Sequence, residues 1–505
     1  MYKFVIPSHD RLETIKEKTL FTLDKYEIPK KDIYIFVAEE CYDDYKNNLD
    51  NKYNIIKSIE GVSNNRMFIS NYFENGEKIV SLDDDISAIN LLNDKSKNLN
   101  EVTPIGFKLL LDHMFNCLIK EKCNLAGIYP VNNSFFMKEG YTQKLTFCIG
   151  QFRCFINDRW CELRQFNLLE DYETTMRYFL KYNKVLRFNY VSVKANYLTG
   201  KGGMNSNTDR SRTSKEIEVD RFKHRYNQFC SIKDTPKRYE VKFYNNITKG
   251  YKKEVVNTLW IGDTLNELSR LAIQSWINLG YKVNLWIYDP VDDPLLDNDN
   301  IELKDANEIH LLNVGESVKD ILPFSDLWRY KLLYNNGGIW LDADMVLLQR
   351  IYNDDIIISS EYTMKSGAFK SHRDNVANIG VLKFKKNDEL LKKVIDKIYE
   401  NKRKAEFCDN MRLFQKQIKN SGEYDNYVVA PRVFCPTPWW QCREQYYNKD
   451  YKKKYDVETP SNDYMIQTAN GIHLWNNFTY NKNKIDFDKV MKESLYYKLT
   501  KLING

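Results

Sequence analysis

Two runs of acidic residues have the type and spacing to hold a cation. Asp83-Asp84-Asp85 directly follows the apolar stretch 79–82, and Asp342-Ala343-Asp344 directly follows the apolar stretch 339–341. Chemistry on open α/β sheets gathers at the carboxyl ends of parallel strands. Carboxylates one residue apart at such an end can share one hard divalent cation, Mg²⁺ or Mn²⁺, which prefers oxygen ligands and fills its shell with water and phosphate. A cation there would neutralise a departing diphosphate. Acids that cap helices or line turns are the alternative at each run. Neither run has the glycine and terminal glutamate of an EF-hand loop, and no GxxxxGK[ST] loop occurs.

The elements that would carry these acids follow a strand–helix alternation. KFVIPS reads as a strand whose exit is set by Pro7, and Leu12, Ile15, Leu20 and Leu23 have helical spacing. IYIFVA and IVSL read as buried strands. A helix is expected at about 104–121, strands near 125–129 and 145–156, a helix from Glu170, and one strand at VLRFNYVSV. Residues 200–242 carry eleven Lys/Arg against six Asp/Glu and read as loop, helix and connector. A second series opens with VVNTLWIGD at 255–263, then a helix at about 264–278, the strand VNLWIYD, and a helix at 325–335 stopped by Asn335-Asn336-Gly337-Gly338. IWLDADMVLL enters and leaves a turn, and an amphipathic helix is expected from about Ile485. The pattern predicts an α/β protein with mostly parallel sheets in two domains of similar plan, 1–244 and 245–505.

Composition bounds the rest. The 505 residues, 43% hydrophobic and 29% charged, exclude a disordered or fibrous chain, and 20 Gly with 12 Pro exclude a collagen-like one. No run approaches eighteen apolar residues, so no membrane span is expected, and the amino terminus lacks secretory features. The expectation is a soluble, cytoplasmic protein with its ten cysteines as thiols. None of the six histidines clusters with cysteine in sequence, which argues against structural zinc. A net charge of +6 permits anionic partners without demanding them.

FSDLWRYKLLYNNGGIWLDADMVLL resembles the DXD-containing sugar-binding family of glycosyltransferases, which includes mannosyltransferase, capsular and cytotoxin glucosyltransferase types. Ser325, Asp326, Arg329, Tyr330, Gly337, Gly338, Asp342 and Asp344 match its pattern, with Trp340 where Tyr is usual. LWIGD at 259–263 resembles the family's opening strand, although the Pro and His that usually precede it are missing; the resemblance places Trp260 against the nucleotide base. GIHLWNN resembles a carboxyl-terminal His-x-Trp element, which implies His473 at the metal and Trp475 beside the diphosphate. The match covers about 255–480. Independently, Asp326 and Arg329 lie three apart and share a helix face, facing one cleft or simply pairing with each other. A structural histidine is the alternative for His473.

FVIPSHDR, IYIFVAEE, GVSNNRMFIS and IVSLDDDI together resemble the phage and viral glycosyltransferases associated with TET/JBP base dioxygenases, over about 2–205. That resemblance implies Pro7, Ser8 and Arg11 beside the nucleotide, Asn65 and Arg66 near the diphosphate, and metal on Asp83 and Asp85 with Asp84 on the nucleotide-sugar. Glu170-Asp171 resembles the acidic pair of inverting transferases, with Asp171 as the base that deprotonates the acceptor; first-turn helix acids are the alternative. Lys201-Gly202-Gly203 could fold over a phosphate or form a plain loop.

Together the resemblances imply two GT-A (Rossmann-like) domains in tandem. Each would use Mn²⁺ or Mg²⁺ to move a sugar from a nucleotide-diphospho-sugar, a UDP-sugar by preference, to an acceptor hydroxyl. The acceptor would be a hydroxymethylated base in duplex DNA of a phage or virus, or else a surface glycan or glycoprotein. A sugar-binding module with one inactive domain and a nucleotidyltransferase are the remaining readings.

Overall fold

The computed structural model describes residues 2–93, 95–195, 212–236, 238–245, 247, 253–312, 321–363, 375–403, 409–447, 460–476, 487 and 490–505. Lys201-Gly202-Gly203 lies outside them. The chain divides into two compact units, Met1–Tyr251 with Gly505, and Lys252–Asn504. No described helix is long and apolar enough to cross a membrane. Both units are α/β with mostly parallel central sheets.

In the first unit the strands are β1 (Lys3–Ser8), β2 (Ile33–Ala38), β3 (Asn54–Ser58), β4 (Lys78–Leu82), β5 (Ile86–Asn93), β6 (Asn98–Glu101), β7 (Leu125–Ile128), β8 (Tyr141–Gln143), β9 (Phe152–Ile156), β10 (Leu186–Phe188), β11 (Val191–Ala195), β12 (Cys230–Thr235) and β13 (Arg238–Phe243). An eight-stranded sheet runs β3-β2-β1-β4-β9-β7-β10-β8. The joins from β3 to β4 are parallel, β9 is antiparallel to both β4 and β7, β10 is parallel to β7, and β8 is antiparallel to β10. Two antiparallel steps restore direction, so β4, β7 and β10 all end on the edge where Asp83 begins.

Sequence chemistry explains these elements. β4 is apolar and buried along nearly its whole length, as a strand covered on both faces must be. The helix Pro104–Glu121 starts at Thr103, whose side chain accepts from the Gly106 N–H, has Pro at its first turn, and ends at left-handed Lys122. Phe107, Leu110, Leu111, Met114 and Leu118 form its buried stripe.

Four local expectations are corrected. Pro7 does not end β1, which continues to Ser8 against β2; pairing with β4 stops at Val5, on the other side of the strand. The strand expected at 145–156 starts only at Phe152. VLRFNYVSV splits at Asn189-Tyr190, whose turn sends β11 into a separate antiparallel sheet with β5 and β6. The connector after the helix Arg212–Arg225 is the hairpin β12–β13.

In the second unit β14 (Val255–Trp260), β15 (Lys282–Ile287), β16 (Ile301–Asp305), β17 (Gly338–Leu341), β18 (Met345–Leu347), β19 (Ile357–Tyr362), β20 (Asn375–Phe384) and β21 (Gly471–His473) follow. The main sheet runs β16-β15-β14-β17-β20-β19, parallel from β16 to β17 and antiparallel at β20. β18 leaves it to pair with β21. The helix Ile321–Asn336 begins earlier than its sequence signal and stops at the double glycine as expected. The last helix, Leu495–Asn504, starts later than expected.

Gly337 has φ +67°, and a Cβ there would lie 2.7 Å from the Lys386 backbone nitrogen. Gly422, at φ +78°, has open space. Left-handed geometry alone costs an alanine about 1–2 kcal/mol. Gly337→Ala is therefore expected to lower the melting temperature clearly more than Gly422→Ala; equal shifts in thermal denaturation would contradict the clash.

Candidate active sites at the two sheet edges

The second-unit site is built on the turn after β17. The Asp342 N–H donates to the Gly380 carbonyl of β20 (2.8 Å), and the Met345 N–H closes the turn on the Asp342 carbonyl (2.9 Å). The strand leaving that turn, β18, places Met345 opposite His473 of β21. His473 Nε2 then stands 3.1 Å from Asp344 Oδ1 and 3.7 Å from Asp342 Oδ2. One ligand atom of each of these three residues lies within 4.8 Å of the others. A residue more than a hundred positions downstream thus reaches the acidic turn through a three-residue strand pair.

The surrounding groups fix the carboxylates. Arg329 Nη1 (2.6 Å) and Trp340 Nε1 (2.8 Å) both donate to Asp342 Oδ1, leaving Oδ2 toward His473. Trp340, where tyrosine is usual, supplies this N–H. Arg329 stacks 4.7 Å from the Trp340 ring centroid and is held by the Ile379 carbonyl, with Asp326 3.6 Å away. Asp344 Oδ2 accepts from the Asn476 N–H (2.6 Å). A Cβ on Gly380 would come within 3.4 Å of both Asp342 Oδ2 and His473 Cε1, so the glycine keeps the space between these ligands open. Two carboxylates and an imidazole around such a space fit a hard to borderline divalent cation such as Mn²⁺.

Electrostatics match. Burial works against the His473 imidazolium, but Asp344 outweighs it and holds the ring well above its ordinary pKa. Asp344 is lowered: burial resists, and His473 prevails. Asp326 is pushed up to about 7 by burial, reinforced by Asp342 and Asp409 and opposed by Arg329.

Trp475 packs on His473 with ring centroids 4.1 Å apart, its backbone at φ +56°. Trp260 ends β14 on the same edge, its indole N–H donating to the Thr264 carbonyl (3.1 Å). Ser325 accepts from Arg329 Nη2 and donates to the Leu322 carbonyl. Gly338 begins β17 and lies at the opposite end of the strand from Asp342. With about 3.3 Å per residue the two are about 13 Å apart, and Gly338 serves the helix-to-strand turn.

In the first unit, Asp83 follows β4 and donates its N–H to the Gln151 carbonyl (2.9 Å). Thr19 clamps the turn, its hydroxyl donating to the Asp83 carbonyl (2.7 Å) and accepting from the Ile86 N–H (2.9 Å). Ser8 and Arg11 donate to the two oxygens of Asp84 (2.7 and 2.9 Å), and the Tyr45 hydroxyl contacts Ser8 and the Arg11 N–H. Pro7 precedes Ser8 on the same strand end. Arg66, buried, pairs with Asp83 (2.9 Å) and Glu170 (3.3 Å) and donates to the Gly150 carbonyl. Asn65 is turned elsewhere: its amide joins Ser58 Oγ to the Phe36 carbonyl and ties β2 and β3 to the helix Val62–Tyr72.

The three aspartates do not converge as a ligand set; among the described residues the convergent groups are Asp342–Asp344–His473 and His9–Glu40–Cys41. The latter corrects the expectation that no histidine meets a cysteine. Asp85 is pushed up to about 7 by burial and by Asp83 and Asp84, with Arg11 opposing.

Glu170 and Asp171 open the helix Glu170–Tyr182 and are driven apart in acidity. Burial resists ionisation of Glu170, but Arg66 and Arg164 hold it well below its usual range. Burial and then the Glu170 charge raise Asp171 far above its own. Asp171 Oδ1 is buried without a hydrogen-bond partner. A Cβ on Gly150 would lie 2.4 Å from that oxygen and 2.8 Å from Arg66 Nη2. Glycines 150 and 380 were not singled out in the sequence, though an isolated strand glycine such as Gly380 signals close approach.

Comparison with known proteins bears on the second-unit site. The model of the glycosyltransferase sugar-binding region containing DXD motif matches residues 212–363, and that of a capsular polysaccharide synthesis protein matches 306–500. These matches support a glycosyltransferase. No curated protein matches the chain. Among solved structures, the PaToxG glycosyltransferase is 14% identical, covering 34% of this chain and 72% of its own, with a TM-score of 0.25. S. aureus TarS 1-349 is 15% identical, covering 38% and 59%, with a TM-score of 0.27. The galactosyltransferase LgtC, in complex with donor and acceptor sugar analogues, is 13% identical, covering 35% and 74%, with a TM-score of 0.22.

The raised His473 pKa makes a directional prediction. The imidazolium–Asp344 pair stabilises the metal-free fold fully below the unfolded histidine value of about 6.5 and is lost as pH rises through the higher folded value. A cation must displace that proton. The rise in melting temperature on adding Mn²⁺ should therefore grow as pH rises above about 6.5 and vanish in Asp344→Asn. A shift independent of pH would exclude His473 as a ligand.

Proposed function

We propose that the chain is a metal-dependent glycosyltransferase with two catalytic units of GT-A type, each taking a nucleotide-diphospho-sugar such as a UDP-sugar. The observation that carries this reading is the convergence of Asp342, Asp344 and His473 beside Arg329. A cation bound there would supply Lewis-acid neutralisation of the leaving diphosphate. Arg329 orients Asp342 and supplies fixed positive charge behind it. Trp260 offers an aromatic face for the base, and Trp475 packs His473 into place. The match to a capsular polysaccharide synthesis protein favours a glycan acceptor for this unit.

In the first unit Asp171 is the base. Its carboxylate, once ionised, takes the proton of the acceptor hydroxyl while that oxygen attacks the anomeric carbon in line, and the diphosphate leaves. Ser8, Arg11 and Asp83–Asp85 hold the donor, and Arg66 steadies both Asp83 and the Glu170–Asp171 pair. The acceptor is a hydroxymethyl group on a DNA base of a phage or virus.

The test is transfer from labelled UDP-sugars by the full chain with Mn²⁺, to hydroxymethylated DNA and to oligosaccharides. Asp171→Asn should remove the first-unit product by about 10²-fold or more, and Asp342→Asn should separately abolish the second-unit product. Because burial and the Glu170 charge raise the Asp171 pKa, the first-unit rate should climb with rising pH. Unchanged turnover in both variants would refute the assignment.

A further inference from the structure

One group of metal-ligating side chains in the first unit takes no part in the chemistry of either acidic turn. His9, Glu40 and Cys41 each bring one ligand atom to within 4.8 Å of the other two. Histidine and cysteine are far apart in the sequence here. Parallel pairing of β1 with β2, which sets Ser8 beside Val37, delivers His9 and the turn Glu39–Cys41 to the same sheet edge. Among the described residues no other convergent group joins an imidazole, a thiol and a carboxylate.

The scaffold around the group is fastened. Tyr45 lies on the short helix Tyr42–Asn48, which Cys41 leads into. Its hydroxyl contacts Ser8 Oγ at 2.8 Å and accepts from the Arg11 N–H at 3.0 Å. The turn that contains His9 is thus tied on both sides to the segment that carries Cys41, which is how a ligand set is held in place before its metal arrives. Cys41 is the exception among the described cysteines: it is partly exposed, and the others are buried. Glu40, half exposed, supplies a movable third arm.

Donor chemistry identifies the metal. His9 Nδ1 and Glu40 Oε1 stand 3.3 Å apart. Zinc bonds of about 2.0–2.2 Å to nitrogen and oxygen put two tetrahedral ligands about 3.4 Å from each other. An ion pair would need only His9 and Glu40; the thiol adds a soft third donor. Thiolate with imidazole and carboxylate selects borderline Zn²⁺ over Mg²⁺ or Mn²⁺, the reverse of the preference at Asp342 and Asp344. The charge field agrees. Burial, joined by Glu40, Asp10 and Asp44 and opposed by the Asp10 backbone, holds the Cys41 thiol above its ordinary pKa. A dication relieves that anionic surrounding.

We propose that His9, Glu40 and Cys41 form a zinc site with three protein ligands and a fourth position open to water or an outside donor. The thiol proton passes to solvent as the sulfur–zinc bond forms. The site shares no ligand with the acidic turn of its unit, although the neighbouring Ser8 donates to Asp84. It does not rest on the transferase reading.

The test uses the full chain, reduced and stripped of metal by a chelator, and titrated with Co²⁺ as a spectroscopic stand-in for zinc. Thiolate-bound Co²⁺ shows a near-ultraviolet charge-transfer band that oxygen and nitrogen ligands alone do not give. The native chain should show this band; Zn²⁺ should erase it and excess Mn²⁺ should not. Cys41→Ser should remove it outright. His9→Gln and Glu40→Gln should each raise the Co²⁺ concentration at half-saturation by about tenfold or more. Cys435→Ser, whose thiol neighbours His473, and Asp342→Asn should leave the band unchanged. A second measurement needs no variant: Zn²⁺ should protect Cys41 of the native chain from iodoacetamide, read by peptide mass spectrometry, and Mn²⁺ should not. No band in the native chain, a band that survives Cys41→Ser, a band indifferent to both His9→Gln and Glu40→Gln, or alkylation of Cys41 unslowed by Zn²⁺ would each overturn the site.

Discussion

The constraint on which both units depend is the cost of gathering carboxylates at one sheet edge. Two unit charges about 4 Å apart repel by about 4 kcal/mol at an effective dielectric constant near 20. Each unit offsets this with a guanidinium embedded behind the acids. Arg329 is the counterion of Asp342, and Arg66 is that of Asp83 and Glu170. A buried pair contributes little net stability, but removing one partner strands the other, so each arginine fixes a geometry more than it strengthens a fold.

Sheet direction converts this local arrangement into a site. Parallel strands put all their carboxyl ends on one edge, and two consecutive antiparallel joins return the chain to the same sense. The edge that carries Asp83 therefore also receives the ends of β7 and β10, and β17 ends where β14 does. Backbone hydrogen bonds set where the acids lie; side chains such as Ser8, Arg66 and Trp340 then fix which way they face.

Much of this was legible in the sequence. Apolar runs ending in acids marked β4 and β17, and the spacing of Asp326 and Arg329 placed both on one helix face. The contact of His473 with Asp344 was suggested only by motif order, because three-residue strands such as β18 and β21 have no periodicity to read. Pro7 misled because a strand paired on one side tolerates a missing N–H. Gly338 was carried into the site by its neighbours in the motif, though strand length places it at the far end. The meeting of His9 with Glu40 and Cys41 was invisible because its members come from separated segments that only the sheet order brings together.

The two units solve the charge problem differently. In the second, Asp342 Oδ2 and His473 Nε2 face a space that Gly380 keeps clear, so a cation can enter by displacing the His473 proton alone. In the first, Asp83 and Asp84 are already taken by Arg66, Arg11 and Ser8, and only Asp85 is without a close cationic partner, its nearest being Arg11 at 3.8 Å. A cation entering there must compete with two guanidinium groups and with the proton on Asp85. Arg11 and Arg66 also have the charge and fork geometry that diphosphate recognition needs. Donor phosphates approaching this edge would thus draw the arginines off the aspartates and free those aspartates for metal, which couples donor and cation binding in the first unit and leaves them separable in the second.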